Sequence, residues 1–150
     1  MSASAPNRPN AAPGVAAIAP GAWDAELVPD PRGRTVRPTP ECPVEVALAA
    51  VSGRWTTLVL RELMQGPCSF GDLRGRLPDL TAKVLTERLR DLEGRGLVAC
   101  VRLAGFPVRT RYELTAAGRA LRPLLVELYR TGTAVLDART ASGEAAPDRG

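Results

Sequence analysis

From Val44 to Leu92 the apolar residues recur at three- and four-residue intervals, and glycine or proline breaks the pattern repeatedly. That spacing predicts several short helices sharing one core. Val44, Ala47, Leu48 and Val51 stand at i, i+3, i+4 and i+7 behind Pro43, a residue suited to a first helical turn, and predict a helix over about 43–51. Gly53 ends it. A second, more apolar helix is expected from Arg54 through Trp55, Leu58, Val59, Leu63 and Met64 to a stop at Gly66-Pro67, at the buried centre. Ser69 followed by Asp72 has the spacing of a capping box and opens a short third helix marked by Phe70, Leu73 and Leu77, which ends before Pro78. After an Asp79-Leu80 turn, Thr81 can cap a fourth helix whose Leu85, Leu89 and Leu92 share one face, with Gly94 and Gly96 as terminators.

The period then changes. Residues 97–102 read as a strand, 103–108 as a loop holding Gly105 and Pro107, and 109–114 as a returning strand. Thr115 is expected to cap a last helix carrying Ala120, Leu121, Leu124, Leu125, Leu128 and Tyr129, kinked at Pro123. The fold expected is mainly α with a small β-hairpin (α+β), a winged helix-turn-helix dimerising through its terminal helices. Residues 1–40 carry eight prolines among Ala, Gly and charged residues and are expected to be a disordered arm, whose one apolar patch is Val15 to Ile18 with Trp23 and Leu27. The folded domain is placed at 41–136, with 137–150 as a flexible tail.

Function classes are narrowed by what the chain lacks. It contains no histidine, so the commonest general base and metal ligand are both absent, and Ser52, Ser69 and the cysteines have no such partner. No Gly-rich phosphate loop occurs, and Cys42, Cys68 and Cys100 form no Cys-x-x-Cys pair. The expectation is no catalysis, no cofactor and no metal. Neither a signal segment nor a run of ~20 apolar residues is found, and reduced thiols suit the cytoplasm, where a DNA-binding chain would be nucleoid-associated. The formal charge of +4 is concentrated, because nine basic residues face five acidic ones between Asp72 and Arg111. Lys83 is the single lysine. An arginine-rich set suits bidentate phosphate and guanine contacts, and it equally fits the codon bias of a GC-rich genome.

In a winged helix the second helix of the helix-turn-helix enters the major groove while the hairpin reaches adjacent backbone or minor groove. With the leucines of the fourth helix turned inward, Lys83, Glu87 and Arg90 point outward with Thr86 beside them, and Thr81 stands at the helix start. Lys83 or Arg90 can donate to guanine, Glu87 can accept from cytosine N4, and Thr86 can touch a thymine methyl or a phosphate. A solvated face, with Glu87 and Arg90 as an exposed ion pair, is the simpler alternative. In the hairpin, Arg109 and Arg111 project from one face near the Gly105-Phe106-Pro107 tip, and Arg102 can instead pair with Glu113.

Cys42-Pro43-Val44-Glu45, Gly53-Arg54-Trp55, Leu60-Arg61-Glu62-Leu63, Gly66-Pro67 and Phe70-Gly71-Asp72-Leu73 resemble motifs of the HxlR-type regulators. The resemblance continues through 85–93, Gly96-Leu97-Val98 and 112–118, and spans about 42–135. It implies a dimeric, MarR-related winged-helix repressor or activator that binds operator DNA. The segment 106–111 departs from it, since relatives often carry a double proline and an acidic residue before the tyrosine.

An operator with an inverted repeat follows from a two-fold dimer, whose interface is expected at Leu121, Leu124, Leu125, Leu128 and Tyr129 with the first helix. Cys42 begins that helix, where the dipole favours a thiolate, and it matches the place of a sensing cysteine in some relatives. Packing of a small buried thiol accounts for Cys42 equally well. Cys68, expected in a turn without a nearby fixed cation, and Cys100, within a wing strand, suit a sensing role less well. A winged helix serving only as a protein-interaction module is the alternative function.

Overall fold

The computed structural model describes residues 24–30 and 37–143. Most of the expected arm, including Val15 to Ile18 and Trp23, lies outside the described residues, and so does 144–150. Six helices and one hairpin follow in order: α1 (Pro43–Val51), α2 (Thr56–Met64), α3 (Phe70–Arg76), α4 (Ala82–Gly94), β1 (Val98–Leu103), β2 (Arg109–Leu114), α5 (Ala116–Arg119) and α6 (Arg122–Ala141).

Local chemistry sets most of these boundaries. Ser69 Oγ accepts from the Asp72 N–H at 3.0 Å while the Asp72 carboxylate accepts from the Ser69 N–H at 3.2 Å, closing the capping box ahead of α3. Thr81 and Thr115 each accept from the amide three residues on, Val84 and Gly118. Helix α4 ends because Gly96 adopts φ +71°, which lets its N–H reach the Glu93 carbonyl and the Leu97 N–H reach Leu92. Between α1 and α2 the chain turns through Gly53 at φ +103°, and Trp55, at φ +74°, takes a left-handed conformation that costs a bulky residue about 1–2 kcal/mol.

The core is built from one face of each element. Val59, Leu60 and Leu63 of α2, Leu73 of α3, Leu85, Leu89 and Leu92 of α4, and Val98 and Leu114 of the hairpin are all buried, joined by Leu77, Leu80 and Leu97 from the connections. Truncating a leucine such as Leu85 to alanine would cost roughly 2–5 kcal/mol. Helices α1 and α6 contain no buried residue.

Four expectations need correction. Pro123 does not kink a continuous helix; the chain breaks at 120–121 and Pro123 becomes the second residue of α6, where its missing N–H would have had no partner. Helix α6 runs to Ala141, past the predicted end of order at 136. Cys68, expected in a turn without a cation, forms a bridge with β2: its N–H donates to the Tyr112 carbonyl at 3.0 Å, and its carbonyl accepts from the Tyr112 N–H at 2.7 Å. The Arg76 guanidinium lies 3.1 Å from its sulfur. Leu121, placed at a dimer interface, is buried in the core instead.

Candidate nucleic-acid interface

Burying Leu85, Leu89 and Leu92 fixes the rotation of α4 and so decides which side chains it presents. Thr81, Lys83, Glu87 and Arg90 are exposed and Thr86 is half-buried, so the five residues predicted to face a groove share one accessible surface. Two hydroxyls on it are already committed: Thr81 caps the helix, and Thr86 donates to the Ala82 carbonyl at 2.8 Å. Thr86 thus presents its methyl and a lone pair rather than a free donor. No ion pair joins Glu87 to Arg90 among the described residues; the pair on α4 is Arg88–Asp91, at 3.1 Å.

Arg88 and Arg95 tie α4 to the end of α1 and to the turn that follows it. Arg95, just past its end, donates from Nη1 to the Ala50 and Ser52 carbonyls at 3.3 and 3.1 Å, satisfying groups left open at the end of α1. Arg88 packs so close to Gly53 that a Cβ there would meet its guanidinium. No sequence pattern announced either contact, because both side chains cross between elements far apart in the chain.

Antiparallel pairing fixes the faces of the hairpin. Leu103 opposes Arg109, Arg102 opposes Thr110, Val101 opposes Arg111 and Ala99 opposes Glu113. Arg109, Arg111 and Glu113 therefore share one face, and Arg102 lies on the other with Thr110 and Tyr112. The expected Arg102–Glu113 pair does not form; Glu113 sits 3.8 Å from Arg111 instead. Arg102, Arg109 and Arg111 are exposed. At the hairpin root, burial raises the Tyr112 hydroxyl above its ordinary titration range, assisted by Cys100 and Glu93 and opposed by Arg90. The root of the ribbon therefore lies beside the C-terminal half of α4.

Of the remaining predicted residues, Cys42 is the N-cap of α1 and is buried. Leu124 and Leu125 are half-buried against the core, whereas Leu128 and Tyr129 are exposed, as are Val44, Val46 and Leu48 on α1. No group of His, Cys, Asp or Glu suited to a metal occurs among the described residues, and no described helix is long and apolar enough to cross a membrane.

Comparison with known proteins adds an independent line. The HxlR-like helix-turn-helix family matches residues 50–140. An HTH-type transcriptional regulator of Methanothermobacter thermautotrophicus is 37% identical over 106 residues, covering 71% of this chain and 81% of that protein. The HTH-type transcriptional regulator YvaP of Bacillus subtilis is 38% identical over 97 residues, 64% of this chain and 90% of the relative. Among solved structures, the redox regulator HypR in its reduced form is similar at a TM-score of 0.60 and 29% identity, covering 66% of this chain and 98% of that one. Reduced YodB of B. subtilis is similar at 0.55 and 33%, covering 59% and 88%.

Proposed function

The chain belongs to the HxlR-like helix-turn-helix family of DNA-binding transcription regulators, and from that premise we propose how it engages DNA. Helix α4 lies in the major groove, with Lys83, Glu87 and Arg90 at base edges and Thr81 and Thr86 at its margin. The wing sets Arg109 and Arg111 on backbone or minor groove. The observation that carries this reading is the exposed polar face of α4 standing beside a wing segment, 102–111, that holds three arginines and no acidic residue.

Two copies pair through α1 and α6, which leave Val44, Val46, Leu48, Leu128 and Tyr129 in water in a single chain. A groove of about 400 Å³ between α2 and α6, lined by Thr57, Leu58, Arg61, Leu125, Leu128 and Tyr129, adjoins that surface at Leu128 and Tyr129. Leu121 is no part of it. Two-fold pairing requires an operator with an inverted repeat, and the protein acts in the cytoplasm without catalysing a reaction.

The test uses a duplex selected from a random library by the full-length chain. Lys83→Ala and Arg90→Ala should each cost roughly 1–3 kcal/mol on that duplex and less on random DNA, whereas Arg109→Ala should weaken both and reduce the salt slope by about one. Equal losses on both DNAs for all three variants would overturn base reading by α4.

A redox-responsive reading of Cys42 draws support from HypR, seen in reduced and oxidised forms, and from YodB, seen treated with diamide and bound to a quinone. Cys42 occupies the N-cap of α1, inside the proposed pairing surface, so its modification would act on the dimer. Diamide should change DNA affinity in the wild type and leave Cys42→Ser unchanged. A response that persists in Cys42→Ser excludes this thiol.

A further inference from the structure

The wing ends in an apolar point. Phe106 is exposed over its whole surface, Val108 over 62% of its own, and Leu103 borders them at the end of β1. Such a cluster is unfavourable in water unless something covers it. Its surroundings specify the chemistry of the cover. From Arg102 to Arg111 the segment carries three cations and no anion. Because Leu103 opposes Arg109 and Arg102 opposes Thr110, the cations stand on both faces of the ribbon: Arg109 and Arg111 on one, Arg102 on the other.

We propose that Phe106 is a wedge that enters the minor groove and partly unstacks one base step, bending the duplex. This inference rests on the DNA-binding reading above and adds to it a residue and a deformation. A minor groove is a cleft about 6 Å wide with one phosphate strand on each side. A ribbon entering tip first meets both strands at once, so cations are needed on both of its faces, and an apolar side chain is needed where only base edges and stacked rings remain. The hairpin supplies that distribution. A neutral or acidic protein surface would cover the phenyl ring without calling for arginines on both faces, and a phosphate strand alone would call for the arginines without the ring.

Unstacking depends on the step, being easiest at pyrimidine–purine steps, so Phe106 would confer sequence preference at a position no polar side chain reads. The phenyl ring carries no charge, so its contribution is independent of salt, unlike that of Arg109.

The experiment uses full-length protein and the duplex it selects from a random library, labelled at both ends for energy transfer and carrying 2-aminopurine at successive steps under the wing. The wild type should bend the duplex by roughly 20–90° and raise 2-aminopurine emission at one step. Phe106→Ala should bind roughly tenfold more weakly, with the emission and the bend lost and the salt slope unchanged, while Phe106→Leu should retain part of both. Since the ring touches solvent alone, Phe106→Ala should melt as the wild type does, which separates the effect from misfolding.

A Phe106→Ala complex as bent and as bright as the wild type's overturns the wedge, and so does a wild-type complex without unstacking. Capture of an acidic protein that depends on Phe106, with DNA geometry unaltered, overturns it in favour of a protein cover. Failure of the parent reading looks different: the wild type would then select no duplex, and no complex, straight or bent, would be seen.

Discussion

Gly118 owes its identity to its neighbour rather than to a turn. A Cβ at that position would overlap the Leu97 carbonyl oxygen and press on Leu114, and that carbonyl is itself held by the Thr115 N–H at 3.0 Å. Neither group can withdraw cheaply. Gly118→Ala should therefore destabilise the fold by about 1–3 kcal/mol or more, read as a lower midpoint in thermal or urea unfolding. Cys68 makes a different prediction. Burial raises its thiol pKa, with the nearby Arg76 guanidinium only partly opposing the shift. In the unfolded chain the thiol ionises above about pH 8.5 while the folded one keeps its proton, so stability is intact below that value and falls as pH rises through it. Urea midpoints measured from pH 7.5 to 9.5 should fall in the wild type and fall less in Cys68→Ala. At neutral pH the same burial should make Cys68 react more slowly with an alkylating reagent than the exposed Cys100.

At the scale of elements, α3 has only seven residues and depends on its start. Ser69→Ala removes the acceptor for the Asp72 N–H and should cost about 1 kcal/mol in urea unfolding. The Asp72 carboxyl is held below its ordinary range by its bonds to Ser69, side chain before backbone. Its stabilising effect is therefore present above the ordinary carboxylate range and is lost as pH falls through the lowered value. Elements of this kind were legible in the sequence because their boundaries are written in local residues: Ser69 with Asp72, Thr81, Gly96 and Thr115 each act on amides within a few positions. The exposed side of α4 was legible too, since Leu85, Leu89 and Leu92 fix its rotation. What escaped notice depends on distant partners. Cys68 joins β2 through one residue, too short to leave any alternation. Leu121 has the spacing of an apolar helix stripe, but it lies in the break between α5 and α6 and turns into the core. Glu113 is met by Arg111 rather than Arg102 because register, which the residues of the hairpin do not announce singly, puts Arg102 on the other face.

For the molecule as a whole, the decisive quantity is the number of copies that act together. Helices α1 and α6 leave Val44, Val46, Leu48, Leu128 and Tyr129 uncovered, and the proposed pairing gives them a use. Tyr129→Glu and Leu128→Glu place charge on that surface without touching the core, so sedimentation should show monomers with unchanged helix content and much weaker binding to an inverted repeat. A wild-type chain that sediments as a monomer at micromolar concentration would remove the pairing surface. The bridge between Cys68 and Tyr112 bears on the same scale, because it adds one residue's pairing to the outer edge of the two-stranded sheet near its base and none near its end. The hairpin is thus a cantilever, clamped where Tyr112 is gripped from both sides and compliant from Leu103 to Arg109. Amides at the clamp should exchange with solvent slowly and those toward the free end quickly. In the proposed complex, an arm built this way would keep its aim while its end adjusted to grooves of different width.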